Sequence, residues 1–505
     1  MRKLVSICLC LILVLAPVGV FAVEHNNDLM VSYIYHSTGG RGMRTPLRAP
    51  AAYVVLQVIN YTHLGLESSI TPVEVATFGT RTYIVCNSNH AIYVLDNDFR
   101  LERIIYYVAG LDNPTFASPE GVFVTDYDAI YIADTLNNRI VKVDGEGNLI
   151  QEFTDPGIMV MGERVPFLPS KIAVDHAGRM YVVGRHVNRG IIELLPSGEF
   201  RAFVGAPRVR MDATEVLRRF FMTQDQLDRM ARFVPTEYNN LTVDSQGFVF
   251  GTIGAVDPGE IFAASRYYAD GTPDRGKPVK RLSPAGNDVM RRRGNVPIIG
   301  ALSFMHGHHS YVVDVDVRPD GVFAIVDQRN SKVFGYDMYG NMLFVFGNQG
   351  TQAGSFHSPS SISFKDDLII VTDQVLGTIS IFEPTTYGAT LLRAVNLDYH
   401  GRFEEASELW HTLLRLNSNL QLAYSGIGRM HYRNGDFTTA MEYFRVAFDS
   451  HNYDLARERL RRQLIGQYFP IVFAGVMVLT AGLIVHGSIM KARRRKTEEG
   501  GGDIA

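Results

Sequence analysis

The chain has 505 residues, 46% hydrophobic and 20% charged, with a formal net charge of −3. That length exceeds one ordinary core and predicts two or more domains, and the near-neutral charge excludes a global electrostatic pull toward nucleic acid. Of three cysteines, Cys8 and Cys10 lie in the first apolar run and only Cys86 remains, which excludes a disulfide framework and a cysteine-based zinc site in the mature chain.

In chain order, Arg2 and Lys3 precede an apolar run from Leu4 to Val20 and the small-residue step Val20-Phe-Ala22. This pattern predicts an export signal over 1–22, cleaved after Ala22, with an uncleaved anchor as the alternative. An N-terminal extension over 23–51 follows.

From 52 to 385 the sequence repeats itself. The stretch "IYIADTLNNRIVKVDGEGNLI", Ile130 to Ile150, reads as a strand, a polar turn, a second strand and a Gly-containing turn. Similar segments begin at Pro72, Pro169, Pro235, Tyr311 and Pro359. Asp134, Asp327 and Asp373 hold one place in this grammar, and Gly147, Gly198, Gly286 and Gly340 hold another. Four antiparallel strands recurring at about 40–50 residues predict propeller blades. The last segment supplies three strands before Pro384, and "AYVVLQVI", Ala52 to Ile59, is spare. An unpaired edge is unfavourable, so this strand is expected to close the ring. The pattern resembles the NHL repeat over roughly residues 53–384. That resemblance implies a mainly β fold, a six-bladed β-propeller. The repeated aspartates are expected to bond turn amides and the glycines to permit turn dihedrals.

Three interruptions break the regularity, at Pro207–Val234, Ala255–Lys277 and Arg291–Ser310. In an up-and-down blade all three leave from the same face, as do the short loops at Asn137-Asn138-Arg139, His186-Val-Asn188 and Gln328-Arg329-Asn330. This face is the expected binding surface, and the opposite face is not. Its arginines, among them Arg208, Arg218, Arg219, Arg291, Arg292 and Arg293, suit a carboxylate- or phosphate-bearing partner. His306, His308 and His309 in "MHGHHSY" offer imidazoles. Six-bladed relatives in the amidating lyases hold metal at the axis with histidines from separate blades. Here the histidines cluster in one insertion, so neither a metal nor any other cofactor is expected.

Residues 386–452 carry a second repeat at a 34-residue offset. It pairs Ala394 with Gly428, Gly401 with Gly435, Phe403 with Phe437, Ala406 with Ala440 and Trp410 with Phe444. This is the tetratricopeptide period, and it predicts two helical hairpins whose groove would present Tyr399, Trp410 and Tyr432. A capping helix is expected over 453–467. Tyr468 to Val485 carries no charge, and the apolar character runs on to Met490, which predicts a membrane-spanning helix over 468–490. The basic run Lys491 to Lys496 opens a tail over 491–505 that is expected to stay in the cytoplasm, with everything before the span outside the cell membrane.

No nucleophile elbow, P-loop or dinucleotide fingerprint occurs, and no catalytic residue is expected. The whole arrangement resembles bacterial NHL–tetratricopeptide membrane proteins encoded beside carbohydrate ABC transport systems. The resemblance extends to "APAAY" at Ala49–Tyr53 and "FEPTTYG" at Phe382–Gly388. It implies an extracytoplasmic binding or scaffold protein. The implied partners are envelope or membrane proteins, transporter components among them, or an anionic glycan. The alternative is a lactonase- or lyase-type enzyme with a metal or an acid at the channel mouth, for which Asp134, Asp327 and Asp373 are the available carboxylates.

Overall fold

The structure is a computed structural model that describes residues 32–37, 44–125, 129–160, 162–205, 237–261, 276–292, 297–301 and 309–499. The export signal and most of the three insertions lie outside the described residues, and with them Arg208, Arg218, Arg219, Arg293, His306 and His308.

Six antiparallel sheets stand around one axis. Blade 1 runs through Pro72–Phe78, Arg81–Cys86, Ala91–Leu95 and Leu101–Ile105. Blade 2 uses Pro119–Val124, Ile130–Asp134, Arg139–Val143 and Leu149–Phe153, and blade 3 uses Pro169–Val174, Met180–Gly184, Ile191–Leu194 and Phe200–Val204. Blade 4 has Asn240–Val243, Val249–Thr252 and Val279–Leu282, and blade 5 has Val312–Val317, Phe323–Asp327, Lys332–Tyr336 and Met342–Phe346. Each first strand touches the first strand of the next blade, and blade 6 touches blade 1, so the innermost strands form a closed ring. Second strands such as "IYIAD" and "FAIVD" are buried at every residue, because both of their faces pack on neighbouring blades. Outer strands such as Leu101–Ile105 are mostly partly exposed.

Blade 6 is built from both ends of the propeller. Its strands Pro359–Lys365, Leu368–Asp373 and Thr378–Pro384 are completed by Tyr53–Ile59. That strand pairs antiparallel to the third, with Ile59 opposite Ile379 and Tyr53 opposite Pro384. The spare strand of the sequence therefore closes the ring.

The repeated residues do turn work. Asp134, Asp327 and Asp373 are at most 1% exposed. Asp134 accepts from the Ala117 amide at 2.7 Å, Asp327 from Tyr311 at 3.1 Å, and Asp373 from His357 at 2.6 Å. Each one bonds the loop that enters its own blade to the turn between its second and third strands. Gly147 and Gly198 both sit at φ +90°, where a side chain would be strained.

Blade 4 departs from the four-strand pattern. Among the described residues after Leu282, an isolated bridge to Asp288, a bond from the Val289 amide to the Arg281 carbonyl and one from the Arg281 amide to the Asp288 side chain continue the edge. The Arg292 guanidinium donates to the Val279 carbonyl at 2.8 Å and pairs with Asp288 at 2.8 Å, so a side chain takes over part of the missing strand's hydrogen bonding. The N-terminal extension also contributes a hairpin, Tyr33–Ser37 with Arg44–Arg48, packed on blade 5, where the Lys332 ammonium lies 4.8 Å from the Tyr33 ring centre.

Five helices follow: α1 (Thr386–Tyr399), α2 (Phe403–Leu416), α3 (Gln421–Arg433), α4 (Phe437–Val446) and α5 (Ser450–Glu499). The first four form two hairpins at the repeat spacing. Trp410 and Phe444 are at most 1% exposed and pack on Gly426 and Gly428, where any larger residue would collide with the rings. The expected capping helix, the apolar span and the start of the basic tail are one continuous helix of 50 residues, interrupted chemically only by Pro470.

The first helix is seated on the closing strand. The Thr385 hydroxyl donates to the Ala51 carbonyl at 2.6 Å, its amide donates to Ala52 at 2.9 Å, and its side chain caps α1 by accepting from the Gly388 amide. Gly388 lies so close to the Ala52 carbonyl that a Cβ there would overlap it.

Two outcomes follow from this construction. A chain beginning at residue 65 should aggregate or melt well below one beginning at residue 25, because blade 6 loses its outer strand; equal melting temperatures would refute the closure argument. Gly388→Ala should lower the melting temperature and open the 384–386 junction to protease, whereas Gly466→Ala, which meets no neighbouring atom, should do neither.

Candidate functional site

Each first strand runs from the face that carries the insertions to the opposite face, which is formed by the first-to-second and third-to-fourth strand turns. The loops of Asn137, Asn138, Arg139, His186, Gln328 and Arg329 do stand on the insertion face, on blades 2, 3 and 5. Their side chains are committed to differing degrees.

Arg139 is 4% exposed. Its guanidinium donates to Asp134 at 2.8 Å, Glu152 at 3.1 Å and the Asn113 carbonyl at 2.7 Å, so it is a buried tie within blade 2 and not a surface for a ligand. Asn137 donates to Asp134 at 2.7 Å and to the Thr115 carbonyl at 3.0 Å. Gln328 donates to the Pro359 carbonyl at 3.1 Å and links blades 5 and 6. Asn138 and His186 are exposed turn residues at φ +55° and +62°. Arg329 is exposed and donates to the His309 carbonyl at 3.1 Å. Arg291 departs from expectation. It lies 5.2 Å from the ring centre of Tyr339, which belongs to a third-to-fourth strand turn on the opposite face.

The helical residues separate as well. Trp410 is 0% exposed, so it belongs to the packed layer between α2 and α3 and lines no open groove. The Tyr399 hydroxyl accepts from Gln246 at 3.4 Å, and Asn396 donates to Asp320 at 3.5 Å, which turns this end of α1 toward blades 4 and 5. Tyr432 stands edge-on to Phe437 at 5.4 Å and is partly buried.

The cavity that the described residues form was not expected from the sequence. It has a volume of about 1150 Å³ and lies on the axis. It is lined by the second half of all six first strands and by the turns after them, from Phe78-Gly79 through Asp175–Gly178 and Arg318–Asp320 to Asp366-Asp367, with Asn396 and His400 of α1 at its edge. It therefore opens on the face that carries the helices, opposite the insertions.

Six equivalent strand positions ring its base, Glu74, Gly121, Lys171, Asn240, Asp314 and Ser361, and of these Glu74 and Asp314 line the cavity. Gly121 leaves room for the backbone of blade 3 at Ser170 and Lys171. The Lys171 ammonium crosses to Glu74 and to the Val73 carbonyl at 3.1 Å, and the Asn240 amide lies 3.4 Å from Glu74. Asp314 accepts from the Ser361 hydroxyl at 2.6 Å and the Ile362 amide at 2.7 Å. Two residues on, Asp316 accepts from the Phe364 amide at 2.8 Å and the Val317 amide at 2.9 Å. Burial pushes the Asp314 carboxyl well above the usual carboxylate range, helped by the charge of Glu74, and burial pushes Asp316 up too. Burial also raises Glu74, against the pull of Lys171. A sequence signal existed: charged residues stand mid-strand in "PVEV", "PSKI" and "VVDVDV", at one repeat position.

Among the described residues no group of three or more His, Cys, Asp or Glu side chains has the arrangement of a metal site.

No protein family matches this sequence, and no curated protein matches it. Among solved structures, virginiamycin B lyase from Staphylococcus aureus is similar at 11% identity and a TM-score of 0.38, over 66% of this chain and 99% of that one. Kuenenia stuttgartiensis hydrazine synthase is similar at 12% identity and 0.37, over 63% and 97%. A protein of unknown function from Bacteroides thetaiotaomicron VPI-5482 is similar at 9% and 0.40, over 70% and 76%. Likenesses of this size carry no argument about activity, and the propeller assignment rests on the closed ring of six sheets itself.

Proposed function

We propose that this chain is a membrane-anchored binding or scaffold protein that holds a six-bladed propeller on the outer side of the cell membrane. The observation that carries the reading is helix α5. It is long and apolar enough to cross a membrane. Its side chains from Phe469 to Met490 include large apolar groups left 45–73% exposed, which a bilayer would cover. Its first turns pack against the preceding helices through Tyr453 and Ala456, so the apolar span continues directly from the helical segment. The basic cluster after the span supports a cytoplasmic tail. The NHL-like and tetratricopeptide-like repeats support protein or glycan recognition, and the resemblance noted above supports a sugar-uptake or envelope assembly as the setting. A lactonase- or lyase-type enzyme would need an acid or metal other than Asp134, Asp327 and Asp373, whose carboxylates are committed to loop amides.

Protease added to intact cells or spheroplasts should digest the propeller and spare a tag placed after Ala505; digestion of the tag from outside would overturn the sidedness. Partner capture from membranes should depend on the insertion face. Leu136→Asp combined with Arg329→Ser, both exposed there, should lose capture at unchanged melting temperature. Glu146→Ala with Glu199→Ala, on turns of the opposite face, should retain it. Loss in the second pair alone would reverse the assignment.

A further inference from the structure

We propose that the axial cavity is a binding site for a small organic cation, an amine or guanidinium compound, separate from any partner surface on the insertion face. The inference stands on the cavity's geometry and on an imbalance of charge at its base, and it does not depend on the membrane anchoring.

Three carboxylates, those of Glu74, Asp314 and Asp316, line the inner half of the cavity. One ammonium, that of Lys171, serves this depth, and it is bonded to Glu74. Asp314 and Asp316 are held by neutral donors: the Ser361 and Ser363 hydroxyls and the amides of Val315, Ile362, Val317 and Phe364. Burial drives both groups toward the neutral acid, and an incoming cation that draws a carboxyl back to its charged form is held more strongly here than at an exposed site.

The walls favour an organic cation over a bare metal ion. Phe78 and Phe123 line the cavity, and aromatic faces attract ammonium and guanidinium groups; Tyr131 and Phe364 line it too but already face Lys142 and Arg318. The volume of about 1150 Å³ takes a molecule of many atoms. An anion finds less, because the cations near the mouth are engaged. Arg318 is held by Asp320 at 3.2 Å and Asp367 at 2.7 Å, and Lys365 donates to the Thr80 carbonyl at 2.8 Å. Lys142 lies 5.2 Å from the centre of the Tyr131 ring.

The test uses the full chain in detergent micelles, with agmatine, spermidine and choline as probes and 1,4-butanediol and benzoate as uncharged and anionic controls. Calorimetric titration should show saturable binding of at least one of the three cations at millimolar concentration or below, with a rise in melting temperature, and neither control should bind. Asp316→Asn should weaken that binding at least tenfold. Replacing a buried carboxyl that is held only by neutral donors should leave the melting temperature unchanged or higher. Ser363→Ala, which keeps the charge, should bind within a few-fold of the parent and separates loss of charge from local disturbance. Absence of saturable binding by all three cations, equal binding by Asp316→Asn, or binding of benzoate in their place would overturn the proposal.

Discussion

The structure depends on one antiparallel pairing, that of Tyr53–Ile59 with Thr378–Pro384. A propeller has no single core; apolar clusters lie between successive blades, and each one needs the next blade as its other wall. Without that pairing, blade 6 is a three-stranded sheet with an open edge, and the blade 6–blade 1 cluster that includes Ile59, Ile84, Ile370 and Ile381 loses a member. The same strand also begins at the residues that seat α1. Ala51 and Ala52 offer carbonyls to Thr385, so ring closure and helix docking are a single event. Whatever pulls on the helices acts through the seam of the ring.

The two faces of the ring follow different chemistry for a local reason. On the insertion face the second strands of blades 2, 5 and 6 end in aspartates that receive amides from their own blade's entering loop, so turn and loop hold each other there. On the other face the turns close on themselves: Asp144 accepts from the amides of Glu146 and Asn148, and Asp337 from Tyr339 and Asn341. Such short turns leave the channel end open, and α1 comes to rest beside it.

Much of the architecture was legible because it repeats. Six strand-turn units, a spare strand, Asp134 and its two equivalents, and the 34-residue helical offset each left a periodic mark, and the structure has the blades, the closing pairing and the helical hairpins. What repetition hides is convergence. Glu74, Lys171 and Asp314 are far apart in sequence and meet only because the ring brings equivalent positions to one axis. Arg139 sits in a polar loop sequence and is nevertheless buried, because Asp134, Glu152 and a neighbouring carbonyl match its fork. Trp410 has the aromatic character of a groove residue, yet the small residue facing it, Gly426, marks a packing position. Arg291 lies by Tyr339 on the opposite face and not on the expected rim.

Helix α5 carries a mechanical consequence. From Ser450 to Tyr468 it has no break, and at 1.5 Å per residue that stretch is about 27 Å long. On the proposed anchoring, this is a stiff mast and not a tether. A flexible linker would let the propeller sample many heights and tilts, and its effective concentration for a membrane partner would fall as the volume it sweeps grows. A continuous helix packed on α4, in a helical layer whose first helix is seated on the ring's seam, narrows the range of height and tilt. The protein then acts as a ruler as well as a binder: it can engage only those neighbours in the membrane whose exposed surface stands within its reach.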